Sequence, residues 1–218
     1  MIGVRTLPLL LLASGCAAAP RADLAERPPP PAATAADRTG PAADAAPATG
    51  PVAITPVERT AAALYRGDRA LAAGDGADLA AAATTLAALG AHPLDDAAPA
   101  LDAAWWGEAR RLGQGDSQAP YRGRVLGPAY RRASLAPGEL STSEQSFLSG
   151  QRAEIAIVPA AGADLALAVT DAAGKDVCRR PVGAPRTVCR WHPVFTARYR
   201  IAVANTGTRA GGFYLVTN

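Results

Sequence analysis

The sequence predicts an α+β protein: a disordered N-terminal tether, a small α-helical segment and a C-terminal antiparallel β-sandwich of the jelly-roll kind. Three observations carry this. Residues 17–55 repeat Pro, Ala and Gly with almost nothing large enough to build a core. Between 56 and 113 apolar residues recur at helical spacing. From 138 onward the period shortens to the alternation of strands, broken by frequent turn residues. The boundaries follow as a targeting segment over 1–15, the tether over 16–55, the helical region over 56–113, a connector over 114–137 and the sandwich over 138–218.

In the targeting segment Arg5 gives a positive start, TLPLLLLA is an apolar run, and Ser14 and Gly15 place small residues before Cys16. The run is shorter than the roughly 20 residues a helix needs to cross a bilayer. LASGC resembles the lipobox of bacterial lipoproteins, in which the signal is cut before the cysteine and the cysteine then receives lipid. The resemblance implies a lipid anchor on Cys16, the membrane as a partner through that lipid, and a place in the bacterial cell envelope. Ala17 rather than Asp after the cysteine points, by analogy, to the outer membrane. Ala13 departs from the Leu the family usually carries there, and an ordinary cleaved secretory signal is the alternative. The Pro/Ala-rich segment that follows could span roughly 130 Å when fully stretched, at about 3.3 Å per residue. Its expected role is to hold a folded body away from the membrane.

Thr55 before Pro56 reads as an N-cap followed by a first-turn proline. Val57, Ala61, Leu64, Tyr65 and Leu71 then fall near one helical face. Gly74 and Gly76 interrupt the pattern, and Asp78 is placed to cap a second helix with Leu79, Ala83, Leu86 and Leu89. GAHP ends that helix, and a third, expected to start near Asp96, carries Leu101, Trp105 and Leu112. Hydrophobic residues make up 49% of the chain but aromatics only 5%, because alanine inflates the first figure. Alanine-rich faces let helices approach closely but bury little area, so these three need another surface to lean on. Trp105 and Trp106 are neighbours about 100° apart on a helix and cannot share one core. One is expected between the helices and the other against the sandwich, or exposed to a protein or glycan partner.

The connector, with Tyr121, Val125, Leu126 and Tyr130 as anchors, is basic and rich in Gly and Pro. Beyond it QSFL, AEIAIVP, LALAVTD, DVCR, TVCRW, YRIAVAN and FYLVTN read as seven short strands. Ile155, Ile157, Leu165, Leu167, Val169, Ile201, Val203 and Leu215 are expected on the inner faces. The order FLSGQRAEIAI, GADLALAVTDAAGKDVC, CRWHP, YRIAVANTG and FYLVTN resembles the bacterial pre-peptidase C-terminal domain. That resemblance implies a sandwich appended to secreted or envelope proteins for binding, targeting or solubility.

With Cys16 set aside, Cys178 and Cys189 remain, and outside the cytosol such a pair defaults to a disulfide. A metal or redox pair would need further ligands or CxxC spacing. His92 and His192 are far apart in sequence, and no GxSxG, SxxK or HExxH motif is present. Asp164, Asp171 and Asp176 flank or follow LALAVT and are the calcium candidates, set against a reading as turn caps. Arg179, Arg180, Arg186 and Arg190 concentrate positive charge around the cysteine loop and offer a surface for an anionic partner. The net charge of +3 and the lack of a basic stripe interleaved with aromatics argue against nucleic acid. Residues 56–115 carry eight acids and five bases, and residues 116–218 seven acids and thirteen bases. Those opposite signs favour docking of the two parts, solvated surfaces being the simpler reading. The function expected is a non-catalytic cell-envelope lipoprotein, without cofactor, that binds or scaffolds through its sandwich. A hydrolase with an unrecognised site and a structural spacer are the alternatives.

Overall fold

The computed structural model describes residues 54–95, 97–114 and 127–218. The targeting segment, Cys16, the tether before Ile54 and the expected anchors Tyr121, Val125 and Leu126 lie outside the described residues. Three helices, α1 (Pro56–Ala73), α2 (Gly76–Leu89) and α3 (Leu101–Arg111), pack on a sandwich of two sheets. The strands are β1 (His92–Pro93), β2 (Ala129–Leu135), β3 (Leu140–Phe147), β4 (Ala153–Pro159), β5 (Leu165–Thr170), β6 (Asp176–Val182), β7 (Thr187–Trp191), β8 (Ala197–Asn205) and β9 (Gly211–Thr217).

Helix α1 starts where the sequence places it. Thr55 Oγ1 accepts from the Glu58 amide (3.1 Å), and Glu58 Oε2 accepts from the Thr55 amide (3.2 Å), a complete capping box with Pro56 in the first turn. Gly74, at φ 67°, closes the helix in the left-handed region that a side chain would disfavour. The next helix begins one turn earlier than expected. Asp75, not Asp78, is its N-cap, accepting from the Asp78 amide at 3.0 Å. Helix α3 starts later, at Leu101 rather than near Asp96. A residue before proline is driven out of the helical region, and Pro99 follows Ala98 directly. Asp95 instead accepts from the Ala97 amide (3.0 Å) in a local turn. The N-cap of α3, Ala100, has no side-chain acceptor to offer, and the Tyr130 hydroxyl supplies one, accepting from the Leu101 amide at 2.7 Å.

The sheets run β1-β2-β9-β4-β7 and β3-β8-β5-β6. Apart from the short parallel β1–β2 pair, every pairing is antiparallel. The orders β2-β9-β4-β7 and β3-β8-β5-β6 are the double Greek key of a jelly roll. The sandwich therefore begins within the stretch read as a connector. Residues 129–135 form β2, paired along its length with β9. Arg131 and Arg132 break the apolar alternation of AYRRASL, which is why the strand is hard to see in sequence. Likewise β3 extends well before QSFL, because LSTSEQSF is polar on its exposed side.

Two cores result. Between the sheets lie all eight expected inner residues, joined by Leu135, Phe147, Tyr199 and Phe213. The second core lies on the outer face of the five-stranded sheet, where Tyr130, Ala156, Val158, Tyr214 and Val216 meet Val57, Ala61, Leu64, Leu79, Leu86 and Trp105. Strand β4 is buried at every position, since its odd residues face one core and its even residues the other. The helices find in this sheet the support their small faces require.

Trp105 seals the helical layer. Its ring lies against Gly67 of α1, and a Cβ at that glycine would overlap the indole. Gly67→Ala is expected to destabilise the protein by about 1–3 kcal/mol through overpacking. A double-mutant cycle with Trp105→Leu, read by urea unfolding, should return part of that loss, because the smaller side chain makes room.

Candidate functional site

The most polar buried region joins helix α1 to the sandwich. Glu154 on β4 is 3% exposed and stands directly across from Arg190 on β7. Arg190 Nε donates to Glu154 Oε1 (3.0 Å), while Arg190 Nη2 reaches Glu58 Oε2 (2.8 Å). Arg186 Nη2 holds the other oxygen of Glu58 at 3.3 Å, and Thr55 Oγ1 donates to Glu154 Oε1 at 2.9 Å. One carboxylate thus closes the capping box of α1 and receives two arginines from the sandwich. Burial pushes the Glu58 carboxyl up, but the Thr55 amide and the two guanidiniums outweigh it and leave the group below its ordinary value. Further along α1, Asp68 accepts from the Tyr214 hydroxyl (2.9 Å), and Arg132 lies 3.7 Å from the same oxygen, its guanidinium over the Tyr214 ring. Burial, then the charge of Asp68, holds the Tyr214 phenol above its ordinary value, so it remains a donor. Two of the three acids, Glu58 and Asp68, come from α1 and all three arginines from the sandwich, as the charge partition of the sequence favoured.

Cys178 and Cys189 are joined as a disulfide, with Cα atoms 6.1 Å apart. The bond links β6 to β7, the edge strands of different sheets, so it staples the two sheets at one side of the sandwich.

The remaining expected site residues divide. Arg186 and Arg190 were expected to face a partner, but both are taken up by Glu58 and Glu154. Arg179 is exposed and paired with Asp176 at 2.9 Å, and Arg180 is exposed beside it. Trp105 is buried and Trp106 half-buried against the same helical core, so the two do not form an exposed aromatic pair. Their positions follow from neighbours pointing apart on a helix whose one side rests on α2. Asp164, Asp171 and Asp176 do not converge. Asp171 Oδ1 accepts from the Ala173 and Lys175 amides, each at 2.9 Å, as a turn cap, and Asp176 is held by Arg179. Among the described residues no three His, Cys, Asp or Glu side chains come together as a metal site. His92 and His192 sit next to opposite edges of the five-stranded sheet. Cys16 lies outside the described residues.

Among the described residues two surfaces stand open, and neither is named by a motif. The outer face of the four-stranded sheet carries Ala166 beside Ala204 and Ala168 beside Ala202, a shallow centre without large side chains. Thr142 and Leu140 border it on β3, Arg179 borders it on β6, and Arg200 with Glu144 (3.7 Å) closes one end. The second surface is one end of the sandwich. There the loop after β3 and the loop after β7 expose Leu148 (54%), Val194 (79%) and Phe195 (78%). Large apolar residues inside a turn segment, HPVFT, were the sequence signal for this end.

No protein-family model matches the chain, and no curated protein matches it. Solved structures similar to part of it include the pre-peptidase C-terminal domain of collagenase from Bacillus anthracis. That likeness has 11% identity and a TM-score of 0.38, and covers 41% of this chain and 88% of that one. The Yersinia pseudotuberculosis-derived mitogen is similar at 10% identity and a TM-score of 0.34, over 42% of this chain and 84% of that one. PliG of Aeromonas hydrophila, a periplasmic lysozyme inhibitor of g-type lysozyme, is similar at 9% identity and a TM-score of 0.34, with the same coverage of 42% and 84%. At such values the likeness is one of β-sandwich architecture alone.

Glu58→Gln should cost roughly 1–3 kcal/mol at neutral pH, because it removes a charged acceptor from two arginines. The folded carboxyl titrates below its unfolded value, so its stabilisation is present above the ordinary carboxylate range and fades as pH falls through the folded value. Urea midpoints of the two proteins should therefore converge in acid. For the disulfide, intact-mass measurement without reductant should find Cys178 and Cys189 linked. Reduction should lower unfolding stability by about 3 kcal/mol in the chain-entropy account.

Proposed function

We propose that this protein is a lipid-anchored, non-catalytic module of the bacterial cell envelope that binds or scaffolds a partner through its sandwich. One observation carries the reading. The helices cover the outer face of the five-stranded sheet, whereas among the described residues no element covers the outer face of β3-β8-β5-β6. That face is flat and small-residued at its centre with charged groups at its rim, which suits a broad contact better than the enclosure of a small substrate. The carboxylates Glu58, Glu154 and Asp68 are engaged in holding α1 to the sheet. The anchor rests on LASGC at residues 12–16 and belongs with the envelope placement. An outer-membrane address is part of the same proposal.

Two measurements test it. Cys16→Ser should move the protein from the membrane fraction to the soluble fraction of the source cells, and retention in membranes would sink the anchor. A photo-reactive residue placed at Thr142 or Arg179 should capture a reproducible partner in living cells, while one at Arg66 on the exposed side of α1 should not. Equal capture from both sides, or none from the sheet, would remove the binding role.

A further inference from the structure

We infer that the loop end of the sandwich is a membrane contact in its own right, with Leu148, Val194 and Phe195 entering the interface of an anionic lipid surface. The apolar side chains there are held, not loose. The Ser149 amide donates to Thr196 Oγ1 (3.0 Å) and the Gly150 amide to the Pro193 carbonyl (3.1 Å), tying the two loops together. Beneath them Phe147 meets Trp191 edge-on at 4.8 Å and Tyr199 at 5.8 Å, a stiff aromatic base. A fold that leaves three large apolar groups in water on a rigid support maintains them at a cost of solvation, which contact with an apolar phase recovers.

The surrounding charge selects the phase. The loop 148–152 contains Arg152, the exposed Arg198 stands in β8 two residues past the loop 192–196, and neither loop holds an Asp or Glu. Arginines beside a small apolar tip are the pattern that places hydrophobic side chains below anionic headgroups while the guanidiniums stay among the phosphates. A folded protein partner would need a contact of about 1,000 Å² to be stable, which three protruding side chains do not offer. A bilayer conforms to a narrow tip and needs no matching relief.

The entry point of the chain lies at the same end. Thr55 Oγ1 bonds Glu154, the second residue of β4, which directly follows the Leu148 loop. The Asn218 side chain donates to the Arg152 carbonyl at 2.7 Å in that loop. The described chain therefore begins, at Ile54 and Thr55, at the same end of the sandwich as the apolar tip. This last argument rests on the anchored reading; the charge and the exposed side chains stand without it.

The test uses the full chain carrying Cys16→Ser, which has no acyl group. It is mixed with vesicles of phosphatidylglycerol and phosphatidylethanolamine, or of phosphatidylcholine alone, and sedimented. Binding to the anionic vesicles is expected, reduced at least about tenfold by Leu148→Ser, Val194→Ser and Phe195→Ser together. Leu71→Ser, near the C-terminal end of α1 and 40% exposed, should leave vesicle binding unchanged. In the same chain Phe195→Cys gives a free thiol for an environment-sensitive fluorophore, whose emission should shift blue on anionic vesicles and be quenched by brominated lipid. Equal binding by the parent and the triple-serine chain, or a fluorophore that stays in water, overturns the inference. Lipid-free self-association that the three serines abolish also overturns it, assigning the tip to a second copy. Failure of the anchor is read separately, by mass analysis of Cys16 in the protein from its own cells.

Discussion

The outer face of the five-stranded sheet is apolar, and that constraint governs the rest of the molecule. Ala156, Val158, Tyr214 and Val216 point away from the sandwich interior and are nonetheless buried. A jelly roll alone would leave them in water. The three helices lie on them, and their small residues let them come close enough to do so. Neither part has a complete core without the other, so helices and sandwich form one folding unit despite the change of period in the sequence.

Charge then fixes how the layers meet. Apolar packing is nearly indifferent to a small rotation of a helix on a sheet, but hydrogen-bonded ion pairs are not. Glu58 at the first turn of α1 and Asp68 three turns later each find an arginine on the sheet, so the helix is pinned at two points along its axis. Tyr130 and Tyr214 serve both terms at once, with rings in the apolar layer and hydroxyls bonded to Leu101 and Asp68.

Much of this was legible from residues in order along the chain. The Thr55 N-cap with its first-turn proline, the glycine helix ends, the inner-face residues of the sandwich and the cysteine pair are local or periodic patterns, and local patterns survive reading in one dimension. Strand β2 was lost because its two arginines interrupt alternation. The Asp78 cap was misplaced by one turn because two aspartates three residues apart compete for the same role. The docking network was invisible for a different reason. Glu58 and Arg186 are 128 residues apart, and nothing in either neighbourhood marks one for the other. The exposed tip was within reach, since Val194 and Phe195 lie between a proline and a strand start, yet large apolar residues near a strand are easily credited to its core.

The cross-sheet disulfide bears on how such a body would carry load. Tension arriving along the chain at Ile54 enters at the first turn of α1 and is handed through Glu58 to Arg186 and Arg190, on and beside β7. Strand β7 is an edge strand, hydrogen-bonded to β4 alone, and a pull across it would open its ladder one bond at a time. The covalent link to β6 shares that pull with the second sheet. The force is thereby spread over both layers, and an edge strand of one sheet is riveted to an edge strand of the other.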